Sequence, residues 1–411
     1  MSLISSRTSG VDITAGSSKD RDLDGGRVSI AIVAGEHSGD ASGAALAEEL
    51  RKLKPGIRIW GAGGERMKES GVELVADFSW AGAIGILESL KKVPPLLVAL
   101  AKLKRAIVER SPSVLVLIDF GAFNVRLGTF AKTKGIATVY YFPPGSWRRR
   151  PRDFSKMLAA ADKFITPFPW SEKFLRDAGA DAVFLGHPML DRVCPSASAA
   201  ELRREMGIDE NGLVIGLLPG SRSHEVKSIM PAFAQAAEII VDQVPRVSAF
   251  IAAAASDESE RLIRRSAGSF RKVEFRVLQK RAYDIMAASD LLLTCSGTAT
   301  LEAAILEKPM IIVYRGTWLM RFEYLFRRHV IEDFAGMPNI IAGRMICPEL
   351  LGDDASPENI AASAIRLLSN PDTMEQQKRD LRDVKSVLGE TGGTERSARA
   401  ILEMACQNWR S

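Results

Sequence analysis

The fold is decided by VSIAIVAGEHSGDASGAALAEEL (28–50) and its counterpart LVIGLLPGSRSHEV (213–226). Each opens on an unbroken apolar run of the kind found in buried strands, ends it in a Gly/Ser loop, and passes into a helical pattern. A strand that hands its carboxyl end to a helix N-terminus leaves backbone N–H groups pointing outward, where the helix dipole favours negative charge. One such unit predicts a nucleotide-binding fold. One in each half predicts two Rossmann-like α/β domains facing each other across a cleft.

Outward from the first unit, β-rich runs at 28–34, 57–61, 114–118, 137–142, 163–166 and 182–185 alternate with helical stretches at 42–53, 95–110 and 170–178. Outward from the second, strands are expected at 213–218, 247–252, 273–277, 290–293 and 310–313, with closing helices at 358–368, 373–388 and 394–409. Such alternation is the pattern of βαβ units on parallel sheets. The Pro/Ser-rich stretch within 186–207 suits a linker. The expected division is a disordered polar leader (1–26), an N-terminal domain (27–192), a C-terminal domain (193–389) and a last helix (390–411) packing back on the N-terminal domain.

At 411 residues, 46% apolar and 26% charged, the chain has the composition of a two-domain globular protein. Its four cysteines are scattered without metal or disulfide spacing, which fits a reducing, cytoplasmic setting. A net charge of +5 asks for an anionic partner. Nucleic acid is disfavoured, because basic residues are not interleaved with aromatics in any binding motif.

The loops narrow the chemistry. Neither is G-x-G-x-x-G nor G-x-x-x-x-G-K-[ST], so dinucleotide cofactors and P-loop hydrolysis lose their usual support. In GEHSGD (35–40), Glu36 and Asp40 bring carboxylates that repel phosphate and suit a sugar, while Ser38 is placed to cap the helix. In LPGSRSHE (218–225), Gly220 shapes the turn, and Ser221 and Arg222 offer a hydroxyl and a fork-shaped cation to a diphosphate. Downstream, Ser296, Gly297 and Thr298 open another helix with phosphate-facing donors, and Glu302, one turn in, is placed for ribose hydroxyls.

The set GEHSGD, LPGSRSHE, CSGTATLE (295–302) and MPNIIAGR (337–344), in that order, resembles the lipid-A-disaccharide synthase family of glycosyltransferases. Weaker matches lie between them, among them LIDFGAFN (117–124), YYFPPGSW (140–147) and FLGHPMLD (184–191). The resemblance implies a glycosyltransferase-B fold, with the nucleotide sugar on the C-terminal domain and the acceptor on the N-terminal one. It implies an inverting, metal-independent and cofactor-free transfer from UDP-2,3-diacylglucosamine to 2,3-diacylglucosamine 1-phosphate, an acylated acceptor met at the inner membrane surface. Carried over, Arg222 holds the diphosphate, Glu302 the ribose, and Asn339 lies near the donor, while Glu36, Ser38, Asp40, Asn124 and Trp147 belong to the acceptor side.

Asp119 is expected to be the general base. It ends the run SVLVLID (113–119), the position in an open α/β sheet where ligands gather. The chain departs from the family pattern on the acceptor side. Phe120-Gly121-Ala122 lacks the usual proline and second carboxylate, and arginines 148, 149, 150 and 152 crowd Trp147. Residues 84–107 mix apolar bulk with lysines and an arginine, a pattern that fits either a membrane-facing surface or a buried helix with a charged outer face. Two alternatives stay open: an enzyme resembling UDP-N-acetylglucosamine 2-epimerase, and a sugar-nucleotide-binding module without turnover. The oligomeric state, a homodimer included, also stays open.

Overall fold

The computed structural model describes residues 28–35, 37–79, 86–146, 148–149, 153–209, 211–268, 270, 272–315 and 334–410. The expected leader, Glu36, Trp147, Arg150 and Arg152 lie outside the described residues.

The first sheet holds strands β1 (Ser29–Ala34), β2 (Arg58–Gly63), β3 (Glu73–Asp77), β4 (Val114–Ile118), β5 (Ala137–Tyr141), β6 (Lys163–Thr166) and β7 (Asp181–Phe184), ordered 3-2-1-4-5-6-7. The second holds β8 (Leu213–Leu218), β9 (Val247–Ala254), β10 (Phe275–Gln279), β11 (Leu291–Cys295), β12 (Met310–Tyr314) and β13 (Glu349–Leu351), ordered 10-9-8-11-12-13. The strand pairs within both sheets are parallel.

Buried parallel strands are apolar on both faces, and β1 shows why. Ile30, Ile32 and Ala34 enter one core with Leu46, Ala47 and Leu50 of α1 (His37–Leu53). Ala31 and Val33 enter the other with Leu100, Leu103 and Ile107 of α3 (Ile86–Arg110), which follows the short α2 (Glu65–Glu69), and with Leu127 and Ala131 of α4 (Gly121–Thr133). In the second domain Ile215 and Leu217 pack on α9 (Ser223–Gln243). That helix follows α5 (Ser155–Leu158), α6 (Pro169–Asp177), α7 (Met189–Arg192) and α8 (Ala199–Glu205).

The remaining helices are α10 (Asp257–Ala267), α11 (Ala282–Ala288), α12 (Thr298–Ile305), α13 (Met337–Ala342), α14 (Pro357–Leu368), α15 (Pro371–Val387) and α16 (Gly393–Arg410). Ala398, Ile401 and Ala405 of α16 lie in the same core as β1 and α1. Asp191 caps the start of α16, accepting from Gly392 N (2.5 Å), Thr394 N (3.0 Å) and Thr394 Oγ1 (2.9 Å).

The edge strands β3 and β13 were not expected from the sequence. β3 is half-exposed and β13 only three residues long, so neither carries the apolar run that betrays an inner strand. Among the described residues no helix is long and apolar enough to cross a membrane.

Candidate functional site

Both sheets reverse strand order at one point, and the motif loops sit there. In the first sheet β1 and β4 run side by side, Ala34 opposite Ile118, so the loop after β1 and the Asp119 turn share one crevice. In the second, β8 pairs with β11, Leu218 opposite Thr294, which joins the LPGSR loop to the SGT loop. Ligands bind open α/β sheets outside the carboxyl ends of strands at such reversals.

On the first side, Asp119 is half-buried and opens a run of left-handed residues: Asp119 (φ 43°), Phe120 (58°) and Gly121 (40°). A non-glycine residue held there costs about 1–3 kcal/mol and persists only where its surroundings enforce it. Here the Phe120 ring lies against Phe78 and Phe123 and fills the space where a Gly35 Cβ would stand, 2.0 Å from a ring carbon. Gly35 is therefore required by Phe120, not by a bound anion.

The fold engages three residues expected on the acceptor side, Asp40, Ser38 and Asn124, in different ways. Asp40 is 7% exposed, and its carboxylate accepts from Gly64 N (2.6 Å), Arg66 N (3.1 Å) and Met67 N (3.1 Å). It satisfies N-terminal donors of α2. Ser38 is exposed inside the first turn of α1, whose helical residues already begin at His37, so it is not the cap. Asn124 is fully buried, its Nδ2 donating to Ile118 O (3.0 Å), Asp119 O (3.0 Å) and Val33 O (3.4 Å). Its Nδ2 braces the strand ends, while its buried Oδ1 has no hydrogen-bond partner among the described residues.

On the second side, Gly220 (φ +111°) leaves room for Glu225, which a Cβ at Gly220 would meet at 2.5 Å. Glu225 Oε2 accepts from Ser221 N and Arg222 N, both at 3.1 Å, and Oε1 meets Arg222 Nη1 at 3.2 Å. The donors at the start of α9 are thus held by a carboxylate of the same helix, one turn in, where a bound phosphate was expected. The Arg222–Glu225 pair is partly solvated and contributes about 0–1 kcal/mol.

The SGT corner is more open. Gly297 (φ +150°) is exposed, a Cβ there would meet nothing within 4 Å, and Thr298 beside it is exposed at the first position of α12. Ser296 instead spends its hydroxyl on Ala335 O (2.8 Å).

Glu302 lies farther along α12, with Tyr283 Oη donating to its Oε1 at 3.0 Å. Burial raises the Glu302 carboxyl above its ordinary range, opposed by the Tyr283 bond and by the positive charges of Arg192 and Arg66. Arg66 belongs to α2, so the two domains approach each other at this glutamate. Asn339 lies on α13. It is fully buried, with Nδ2 donating to Cys347 O (2.8 Å) and Glu349 Oε1 (2.7 Å), and Oδ1 accepting from Ile346 N (2.7 Å) and Cys347 N (2.9 Å). Every hydrogen-bonding position of that amide is engaged within the protein.

A second link between the domains comes from the basic turn. Arg149 donates to Ile341 O near the carboxyl end of α13, and its guanidinium lies 5.1 Å from the Trp170 ring centroid. Tyr140, Tyr283 and Glu225 were missed in the sequence; only Glu225 had a local signal, its capping-box spacing three residues after Arg222.

Comparison with known proteins agrees with this geometry. The family described as lipid-A-disaccharide synthetase matches residues 30–403. The lipid-A-disaccharide synthase of Geobacter metallireducens is 36% identical over 375 residues, 91% of this chain and 97% of that one. The Myxococcus xanthus protein of the same name is 32% identical over 376 residues, covering 91% and 97%. Among solved structures, Neisseria meningitidis UDP-GlcNAc 2-epimerase bound to UDP-GlcNAc superposes with a TM-score of 0.60 at 12% identity, over 91% of this chain and 100% of that one. Acinetobacter baumannii MurG gives 0.56 at 12% identity, over 92% and 99%. At that identity the two structures speak for the shared glycosyltransferase-B fold alone. The match over nearly the whole length, with both strand reversals carrying the motif loops, shows that this chain belongs to the lipid-A-disaccharide synthetase family.

Proposed function

We propose that this chain transfers 2,3-diacylglucosamine from UDP-2,3-diacylglucosamine to 2,3-diacylglucosamine 1-phosphate with inversion, releasing UDP. Membership of the family makes it a glycosyltransferase of lipid A biosynthesis. The observation that carries the residue roles is the pair of strand reversals, which set the Asp119 turn on one domain and the Arg222 and Gly297 loops on the other.

In this reading the acceptor hydroxyl attacks the anomeric carbon and gives its proton to the Asp119 carboxylate. The new C–O bond forms as the bond from that carbon to the diphosphate oxygen breaks. The departing charge passes to Arg222, released from Glu225, and to the N–H groups at Gly297 and Thr298. Glu302, oriented by Tyr283, takes the ribose.

Approach to the acylated substrates is proposed to use α3. Val93, Leu97 and Val98 are 46%, 52% and 56% exposed, and Lys102 and Arg105 follow them. Apolar and basic side chains together suit an anionic bilayer surface, and peripheral attachment to the inner membrane from the cytoplasm is proposed on that ground.

The test is UDP release from UDP-2,3-diacylglucosamine with and without the monosaccharide phosphate. Acceptor-dependent release with formation of a disaccharide 1-phosphate supports the proposal. Acceptor-independent turnover favours an epimerase-like reaction, and binding without turnover a module.

A further inference from the structure

The strained turn at Asp119 is held from outside by a residue to which the sequence reading gave no role. Tyr140, on the neighbouring strand β5, is fully buried, and its ring stacks on Phe164 at 6.2 Å and 12°. Its hydroxyl donates to Asp119 O at 2.9 Å, with a weaker reach to Gly121 O at 3.5 Å. On the other side of the residue, Asp119 N donates to Phe142 O (3.2 Å) and Tyr141 O (3.4 Å).

Both peptide planes flanking Asp119 are therefore fixed, and with them the direction of its Cα–Cβ bond. Without that hold a left-handed Asp-Phe pair relaxes toward ordinary backbone, which redirects the Asp119 side chain. Asn124 shares one amide among three carbonyls, so the hydroxyl of Tyr140 is the more dedicated clamp on this carbonyl.

We propose that Tyr140 is a positioning residue for the transfer reaction, its phenol holding the left-handed turn that presents the Asp119 carboxylate to the acceptor hydroxyl. The inference rests on the reading of Asp119 as the general base. A misplacement of about 1 Å at a reacting group lowers rate by up to about 100-fold, so loss of the hydroxyl should show in kcat and not in donor affinity.

The experiment compares Tyr140→Phe, Asp119→Asn and the double variant in the full-length protein, with Tyr141→Phe as control. Tyr141 is an equally buried neighbour whose ring sits in the core shared with α16. Expected are a kcat lowered about 10- to 100-fold in Tyr140→Phe with donor KM unchanged, wild-type kinetics in Tyr141→Phe, and no further loss when Tyr140→Phe is added to Asp119→Asn. Wild-type kcat in Tyr140→Phe beside an inactive Asp119→Asn overturns the proposal. So does a loss that vanishes when rates are normalised to folded protein, or one that recurs in the Asp119→Asn background. Full activity of Asp119→Asn itself overturns the base assignment, and is read separately.

Discussion

His187 makes the stability of this protein depend on pH in a way that can be computed from its surroundings. The ring is 8% exposed, flanked by Phe142 at 6.1 Å and Phe168 at 5.3 Å, and its Nδ1 accepts from Met189 N at 3.1 Å. The His187 backbone N–H donates to Leu388 O at 2.8 Å, tying the linker to the end of α15. Burial pushes the imidazole down to about 3 from 6.5, with Arg192 adding to the shift and Asp191 opposing it.

Because the folded value is depressed, the unfolded chain binds more protons between those two values, so stability is intact above pH 6.5 and is lost as pH falls toward about 3. At pH 5.0 the unfolded imidazole is about 1.5 units below its titration point, which at 1.36 kcal/mol per unit removes about 2 kcal/mol relative to pH 7.5. The perturbation is His187→Asn, whose side-chain oxygen can take the Met189 N–H but does not titrate. Urea unfolding followed by tryptophan fluorescence should show the variant less stable at pH 7.5, since the ring contacts are gone. The gap to wild type should then narrow by about 2 kcal/mol on going to pH 5.0, because carboxylate titrations common to both proteins cancel. Parallel pH curves would refute the reasoning and place the imidazole in contact with water.

Further outcomes are expected at the site. Arg222→Lys should raise donor KM roughly tenfold while leaving kcat for bound donor nearer wild type, since an ammonium cannot reproduce the two-pronged guanidinium contact; steady-state UDP release measures both. Asp40→Asn should cost about 1.5–3 kcal/mol of stability through loss of a charged acceptor for α2, whereas Ser38→Ala should be silent in a denaturant titration. Asn339→Asp should destabilise comparably, because it sets a second carboxylate against Glu349 Oε1, now 2.7 Å from Nδ2, and removes the donor to Cys347 O; thermal melts report it. Leu97→Glu with Val98→Glu should weaken sedimentation with anionic phosphatidylglycerol vesicles while leaving turnover of detergent-dispersed substrate intact; unchanged sedimentation removes α3 from the membrane reading.

Much of this protein was legible in the chain itself, for a local reason. Apolar runs such as SVLVLID and LVIGLL encode inner parallel strands because both faces are buried, so these strands fall within a residue or two of where the pattern puts them. Edge strands β3 and β13 escaped because half of their surface faces water. The motif loops were recognisable from glycine, serine and arginine placed just beyond strand ends, and the family followed from their order.

What each polar side chain does was decided only by tertiary contacts. Asp40 looked like a cleft carboxylate until α2, more than twenty residues on, brought its N–H groups to it. Asn124 Nδ2 and the whole Asn339 amide looked like ligand groups until buried carbonyls and amides engaged them, because a polar group placed in a core must bond there or lose its hydration uncompensated. Glu225 and Tyr140 run the other way: given no role in the string, they hold the Arg222 loop and the Asp119 turn through bonds that exist only once helix and strand are in place. Strand order, a property of the whole sheet, then selects which of the many strand–loop–helix junctions share a crevice. The sequence determined the junctions and the chemistry they carry; the packing decided which groups face the cleft and which are spent in holding it.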